Sequence, residues 1–247
     1  MTLRACRRAV ALAITLAWCM GALGLMRLRG PLTLERRARW AQWGARKILL
    51  ALGIEYRVEG QPPASGVVVA NHLSYLDILI LSAAMPCFFV AKAEIDSWPV
   101  FGKIARCSGT MFINRASLAS AQKVSAMIAE RLSLNVPVLF FPEGTSTDGS
   151  SLLRFHSRLF EPAIRAEAPI TTATVTYILH DGTPERELCW FGDDAFLPHL
   201  WKALGVIGFS AEVCFGDPQV YPHRRIAADQ THAEISAVRN GNPLVAQ

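Results

Sequence analysis

Several common catalytic signatures are missing from this 247-residue chain. There is no G-x-S-x-G, so the nucleophile elbow of a serine hydrolase is not indicated. H-E-x-x-H and the Walker A loop are absent too, which removes the zinc-protease helix and the P-loop nucleotide site. The six cysteines (Cys6, Cys19, Cys87, Cys107, Cys189, Cys214) form no C-x-x-C pair. Neither a zinc site nor a dithiol redox centre is suggested, and buried free thiols fit them better. No internal repeat or low-complexity tract is present, which excludes solenoids and compositionally biased linkers. Charge is scarce, 18% of residues against 51% hydrophobic, a balance that suits an ordered chain leaning towards membranes.

That charge is unevenly placed. Residues 1–60 hold 11 Lys/Arg and 3 Asp/Glu, whereas residues 61–247 hold 14 and 17. A basic arm therefore precedes a slightly acidic body, and points to anionic lipid or nucleic acid. Arg4, Arg7 and Arg8 precede an apolar run over residues 9–26, and Arg27 and Arg29 follow it. This bracketing favours lipid, and with no RNA-binding aromatic motif, nucleic acid is not expected as a partner. The run is at the short end for a membrane span. It lacks both a cleavage site and the polar face of a soluble helix. Arginine at both ends leaves two arrangements open, a span and a helix lying in one leaflet. A second segment follows, with Thr33 as its N-cap and Gly53 near its end. It mixes Trp40 and Trp43 with Arg36, Arg37, Arg39, Arg46 and Lys47, which suits a membrane surface or packing on the body.

From residue 61 onward short strands alternate with helical stretches. Strands are expected over residues 66–70, 87–91, 110–113, 137–141, 170–178, 188–191 and 211–215. Helices are expected over 74–84, 98–107, 117–134, 159–166, 195–205 and 226–238. The alternation predicts an α/β fold: a mixed, largely parallel sheet of about seven strands flanked by helices. The predicted organisation is a membrane-associating helical arm, 1–60, followed by an α/β domain, 61–247.

In open α/β sheets ligands collect beyond the carboxyl ends of the strands. Four strands in succession end in polar groups: Asn71-His72 with Asp77, Lys92 with Glu94, Asn114-Arg115, and Glu143-Gly144-Thr145-Ser146. One such end is an ordinary turn; four resemble the walls of one site. Five residues turn an ideal helix through about 500°, so a helical His72 and Asp77 would face apart. They meet only if His72 precedes the first turn and Asp77 lies within it, with Ser74 as N-cap. The carboxylate then fixes the tautomer and leaves the other ring nitrogen as a base. A lone H-x4-D is more often a capping Asp beside an incidental His; the other three strand ends give it weight. With no nucleophile of its own, such a dyad suits activation of a substrate hydroxyl. Arg115 and Lys92 are cations suited to a phosphate.

These residues resemble a known family, the glycerolipid acyltransferases similar to the bacterial 1-acylglycerol-3-phosphate acyltransferase PlsC. Asn71-His72-x4-Asp77 matches the N-H-x4-D block. Gly109-Thr110-Met111-Phe112-Ile113-Asn114-Arg115 resembles G-x-x-F-I-[DN]-R, and Phe141-Pro142-Glu143-Gly144-Thr145-Ser146 resembles F-P-E-G-T-R/S. Lys92-x-Glu94 with Pro99 and Gly102 is similar to K-x-E…P-x-x-G, and Ala168-Pro169-Ile170 falls at the fourth block. The resemblance implies membrane-bound acyl transfer from acyl-CoA or acyl carrier protein to a lysolipid hydroxyl, with 1-acylglycerol-3-phosphate as the expected acceptor and phosphatidate as product. It implies His72 as general base and Asp77 as its orienting partner. Lys92, Asn114, Arg115, Glu143, Gly144 and Thr145 would bind substrate, with no metal or prosthetic group. A bacterial inner membrane, with the catalytic domain on its cytoplasmic side, is the implied location. Two departures bear on the acceptor: Asn114 stands where many members have Asp, and Ser146 where many have a basic residue. They keep another acceptor, such as lyso-ornithine lipid, in view. A rival from another class is a membrane-surface lipid-binding protein without turnover.

Overall fold

The structure is a computed structural model and describes residues 2–114 and 117–241. Two helices open the chain, α1 (Thr2–Leu28) and α2 (Leu34–Leu52). Thr33 caps α2 by accepting the Arg36 N–H, and Gly53 closes it in the left-handed region at φ 66°. The strands are β1 (Glu55–Glu59), β2 (Val67–Ala70), β3 (Phe88–Lys92), β4 (Met111–Ile113), β5 (Val138–Phe140), β6 (Ile170–Leu179) and β7 (Phe209–Phe215). The remaining helices are α3 (Leu76–Ala84), α4 (Phe101–Ser108), α5 (Leu118–Leu132), α6 (Glu161–Arg165), α7 (Phe196–Gly205) and α8 (Arg224–Arg239).

The seven strands form one sheet in the order β1-β7-β6-β2-β5-β3-β4. Neighbours are parallel throughout except β6 and β7, so the sheet is mixed and mostly parallel, as expected. Strand β2 lies at its centre and is buried along its whole length. Its Val-Val-Val-Ala run is what a strand covered on both faces requires. Val67 and Val69 pack on one side with Phe88, Val138, Phe140 and Ile170. Val68 and Ala70 pack on the other with Leu139, Ala173, Val175 and Ile80. This period-two division sends the chain out of the core at residue 71, which is where the polar residues begin.

Three expectations need correction. Residues 188–191 form no strand; a 3-10 turn, Glu185–Leu188, leads into a loop. The seventh strand is instead β1, whose Glu-Tyr-Arg-Val-Glu sequence alternates exposed and half-buried positions at the sheet edge. Its parallel pairing with β7 joins residues far apart in sequence. A boundary at residue 60 would therefore cut off an edge strand, and the sheet begins with β1.

Helix α1 is docked rather than free. Arg8 donates to the carbonyls of Val206 at 2.7 Å and Leu204 at 3.3 Å, and Arg4 to that of Gly205, all at the end of α7. Further along, Trp40 Nε1 of α2 donates to the Cys19 carbonyl at 3.0 Å. The opposite face of α1 exposes Leu3, Val10, Ile14, Trp18 and Leu25. By length and composition Leu3–Leu28 could cross a membrane.

Phe140 sits fully buried against Phe160, with ring centroids 5.3 Å apart. Phe140→Ala is expected to lower the unfolding free energy by about 3–5 kcal/mol. A lowered denaturation midpoint at unchanged slope is the signature to look for.

Candidate active site

A single buried carboxylate organises the end of β2. Asp77, in the first turn of α3, is fully buried. Its Oδ2 accepts from His72 Nδ1 at 2.8 Å, Leu73 N at 2.7 Å and Ser74 N at 3.0 Å. Its Oδ1 accepts the phenolic O–H of Tyr177 from β6. A buried carboxylate is costly unless its lone pairs are filled, and four donors fill them here. Ser74 is not the cap that the sequence suggests. The N-cap position falls on Tyr75, and the Asp77 carboxylate caps the turn by holding two N–H groups ahead of it. Burial, reinforced by the Asp77 charge, raises the Tyr177 phenol well above its usual range, so it remains a donor.

His72 is fixed through ring and backbone alike. Its ring stacks on Phe141, centroids 3.9 Å apart and planes 11° from parallel. Its N–H donates to Glu143 Oε1 at 2.8 Å, and its carbonyl accepts from Thr147 N at 2.9 Å. With Nδ1 held by an acceptor-only carboxylate, that nitrogen carries the proton and Nε2 keeps a lone pair. The geometry is that of a general base with its orienting group, built on a loop as the spacing required.

Glu143 takes a different place from the one expected. It is buried, its second oxygen accepts Leu153 N at 2.9 Å, and it does not line the cavity beside His72. It braces the His72 loop against the 144–153 loop. Burial pushes its carboxyl up, and the two backbone donors act against that shift. Asn71 is likewise structural: its side-chain amide donates to Val175 O at 3.0 Å and accepts from Val175 N at 2.8 Å. These bonds add one rung to the β2–β6 pairing beyond Ala70.

A cavity of about 610 Å³ opens at His72. Lys92, Glu94, Gly144, Thr145 and Ser146 line its polar end, and mostly apolar side chains line the rest. The apolar part runs past Leu76 and Leu79 to Ile48, Trp40 and Cys19, so α1 and α2 supply its walls. Tyr75, Trp98, Trp190 and Phe196 form an aromatic side around it. Of the predicted site residues, His72, Lys92, Gly144 and Thr145 thus meet on one cavity. Asp77 and Glu143 stand behind it. Asn114 follows β4 and is not part of the wall, and Arg115 lies outside the described residues. The Ser146 hydroxyl donates to the Trp190 carbonyl. Among the described residues no group of three or more His, Cys, Asp or Glu is placed to hold a metal ion.

The sequence reading missed Tyr177, along with a brace behind it. Glu185 accepts Tyr177 N at 2.7 Å and pairs with Arg239 at 2.7 Å. Arg239, the last residue of α8, also donates to Val175 O at 3.1 Å and Gly149 O at 2.7 Å. The one available signal was a tyrosine in a strand otherwise made of apolar residues and threonine, where a buried phenol needs a partner.

Residues 54–176 match the family model described as Acyltransferase, which begins one residue before β1. Curated relatives agree along most of the chain. A lyso-ornithine lipid O-acyltransferase of Pseudomonas aeruginosa is 37% identical over 72% of this chain and 69% of its own length. The chain belongs to the acyltransferase family. A 1-acyl-sn-glycerol-3-phosphate acyltransferase of Neisseria meningitidis is 36% identical over 78% of both chains. The crystal structure of PlsC from Thermotoga maritima shares the fold, with a TM-score of 0.73 over 97% of this chain and 95% of that one, at 15% identity. The acyltransferase is therefore an enzyme of the PlsC-like fold.

Tyr177→Phe leaves Asp77 one donor short. Stability should fall by about 1–3 kcal/mol, the usual cost of an unmet buried acceptor. Turnover per folded molecule should fall with it while KM for the lysolipid stays unchanged, a result that a loss of folded protein alone would not produce.

Proposed function

We propose that this acyltransferase moves an acyl group from a thioester donor, acyl-CoA or acyl carrier protein, to the free hydroxyl of a lysolipid. The observation that carries this reading is the meeting of two features: an oriented His72 and an apolar cavity large enough for a hydrocarbon chain. His72 Nε2 takes the hydroxyl proton as the oxygen attacks the thioester carbonyl. The tetrahedral intermediate collapses by breaking the C–S bond, and the departing thiolate recovers the proton. Asp77 stabilises the imidazolium between those steps. Among the described residues the Thr145 and Ser146 N–H groups make no hydrogen bond, and both residues line the cavity; they suit the developing oxyanion.

The acceptors named for the relatives, lyso-ornithine lipid and 1-acyl-sn-glycerol-3-phosphate, are the two to test. The membrane is the natural source of both. Docked along α2 and α7, with its apolar face outward, α1 fits a helix seated in one leaflet better than one that leaves the body to cross the bilayer.

His72→Ala should cost at least about 100-fold in turnover, since positioned general bases contribute roughly 10²–10⁴-fold. Membranes carrying wild type or variant, supplied with labelled acyl thioester and each lysolipid, make the comparison. Retained turnover in the variant removes the mechanism. Lysolipid binding without turnover in wild type favours a lipid-binding protein. Separately, replacing Val10 and Ile14 together by Glu should weaken vesicle binding by at least about tenfold, because each then loses an apolar contact with the acyl region. Unchanged sedimentation with vesicles would assign the anchoring elsewhere.

A further inference from the structure

Helix α7 carries more apolar surface than the protein covers. At about 100° per residue, Leu200 and Leu204 share one side of it, and Leu197 and Trp201 lie on the arc directly beside them. Leu200 and Leu204 cluster with Ala5, Leu12 and Leu16 of α1. Leu197 and Trp201 are left exposed, at 72% and 42%. Ile207, where the chain leaves the helix, is exposed at 58%, and its carbonyl accepts from Arg8 of α1. None of the three lines the cavity beside His72. A single exposed leucine is ordinary; a leucine and a tryptophan side by side on one helix, with an isoleucine at its end, mark a surface that something covers.

The neighbouring helix indicates what covers it. Among the described residues α1 is the helix long and apolar enough to cross a membrane. It runs against α7, tied to its end through Arg4 and Arg8, and carries no charged residue between positions 9 and 26. Apolar surface therefore continues from α1 onto the uncovered arc of α7. That arc is bounded on its far side. Lys202 stands a further 100° round the helix, half exposed, and pairs with Glu187 at 2.7 Å. An apolar band ending in a solvated ion pair suits a helix lying shallow in an interface, and an indole is the side chain favoured at that depth.

We propose that α7 is a second membrane-seating helix: Leu197, Trp201 and Ile207 enter the same leaflet as the outer face of α1, with the Trp201 indole at headgroup depth. This rests on the membrane seating of α1 given above. It also bears on substrate entry. Phe196, the residue before Leu197, lines the cavity, and its ring meets Trp98 and Phe101 at centroid distances of 5.0 and 5.2 Å. The first turn of α7 then has lipid on one side and the cavity on the other, which sets the aromatic side of the cavity against the leaflet that supplies the lysolipid.

Vesicles of phosphatidylethanolamine and phosphatidylglycerol are the probe. Leu197→Gln combined with Trp201→Gln should weaken vesicle binding at least about tenfold, through the loss of two apolar insertions. Its melting temperature and its turnover in detergent micelles should stay at the wild-type level, since neither side chain lines the cavity. A second measurement needs only a conservative variant: the part of the fluorescence lost in Trp201→Phe should be quenched in wild type by brominated acyl chains. Unchanged binding of the double variant, or a Trp201 signal that brominated lipid does not quench, overturns the proposal. If the Val10 and Ile14 variant still loses binding in that case, seating by α1 stands alone. A wild-type dimer that the double variant abolishes, with vesicle binding unchanged, assigns the face to a second copy of the chain and overturns the proposal too. If wild type binds no vesicles, the proposal falls together with the membrane seating beneath it.

Discussion

Asp77 carries a charge in a place with no water to solvate it, and the surrounding structure answers that demand. Three of its four donors come from the loop between β2 and α3, and the fourth comes across the sheet from β6. Removing any one leaves an unmet acceptor, so loop, helix and strand are held in register by a common requirement. The imidazole gains its tautomer and orientation from the same bonds. The groups proposed to perform the chemistry are thus also part of the framework, and the remaining braces, Glu143 and Asn71, fix the backbone that carries them.

Helix α1 faces two ways. Its inner side contributes Leu12, Leu16 and Cys19 to the cavity wall, and its outer side exposes Val10, Ile14 and Trp18. One layer of helix therefore separates the space beside His72 from the medium beyond. On the proposed reading, with a substrate drawn from the bilayer, this shortens the path from bilayer to His72 and gives the arm a part in the site.

Much of this was legible in the sequence, for identifiable reasons. The strands buried on both faces are short apolar runs, and their ends stand out because polarity switches on abruptly at Asn71, Lys92, Asn114 and Glu143. Helix geometry gave the condition under which His72 and Asp77 meet, and the three other polar strand ends gave it weight. Strand β1 was hidden because an edge strand with charges at every other position resembles a surface turn, and its pairing spans most of the chain. The backbone contacts of Glu143 were not legible because sequence shows that a carboxylate is present without showing which way it points. Tyr177 and Arg239 escaped because their partners lie on other elements, and no spacing in the chain encodes a hydrogen bond between strands that are distant in sequence.

Arg239 has one more consequence. Helix ends ordinarily fray, opening and closing with little effect on the rest of a molecule. Here the final turn of α8 grips Gly149 on the loop that follows Glu143, and Val175 on the strand that bears Tyr177. Loosening one end of the molecule must release the other. A lipid resting beside His72 should therefore slow solvent exchange in the C-terminal turn, so that occupancy of the cavity can be read at a helix end that the ligand never touches.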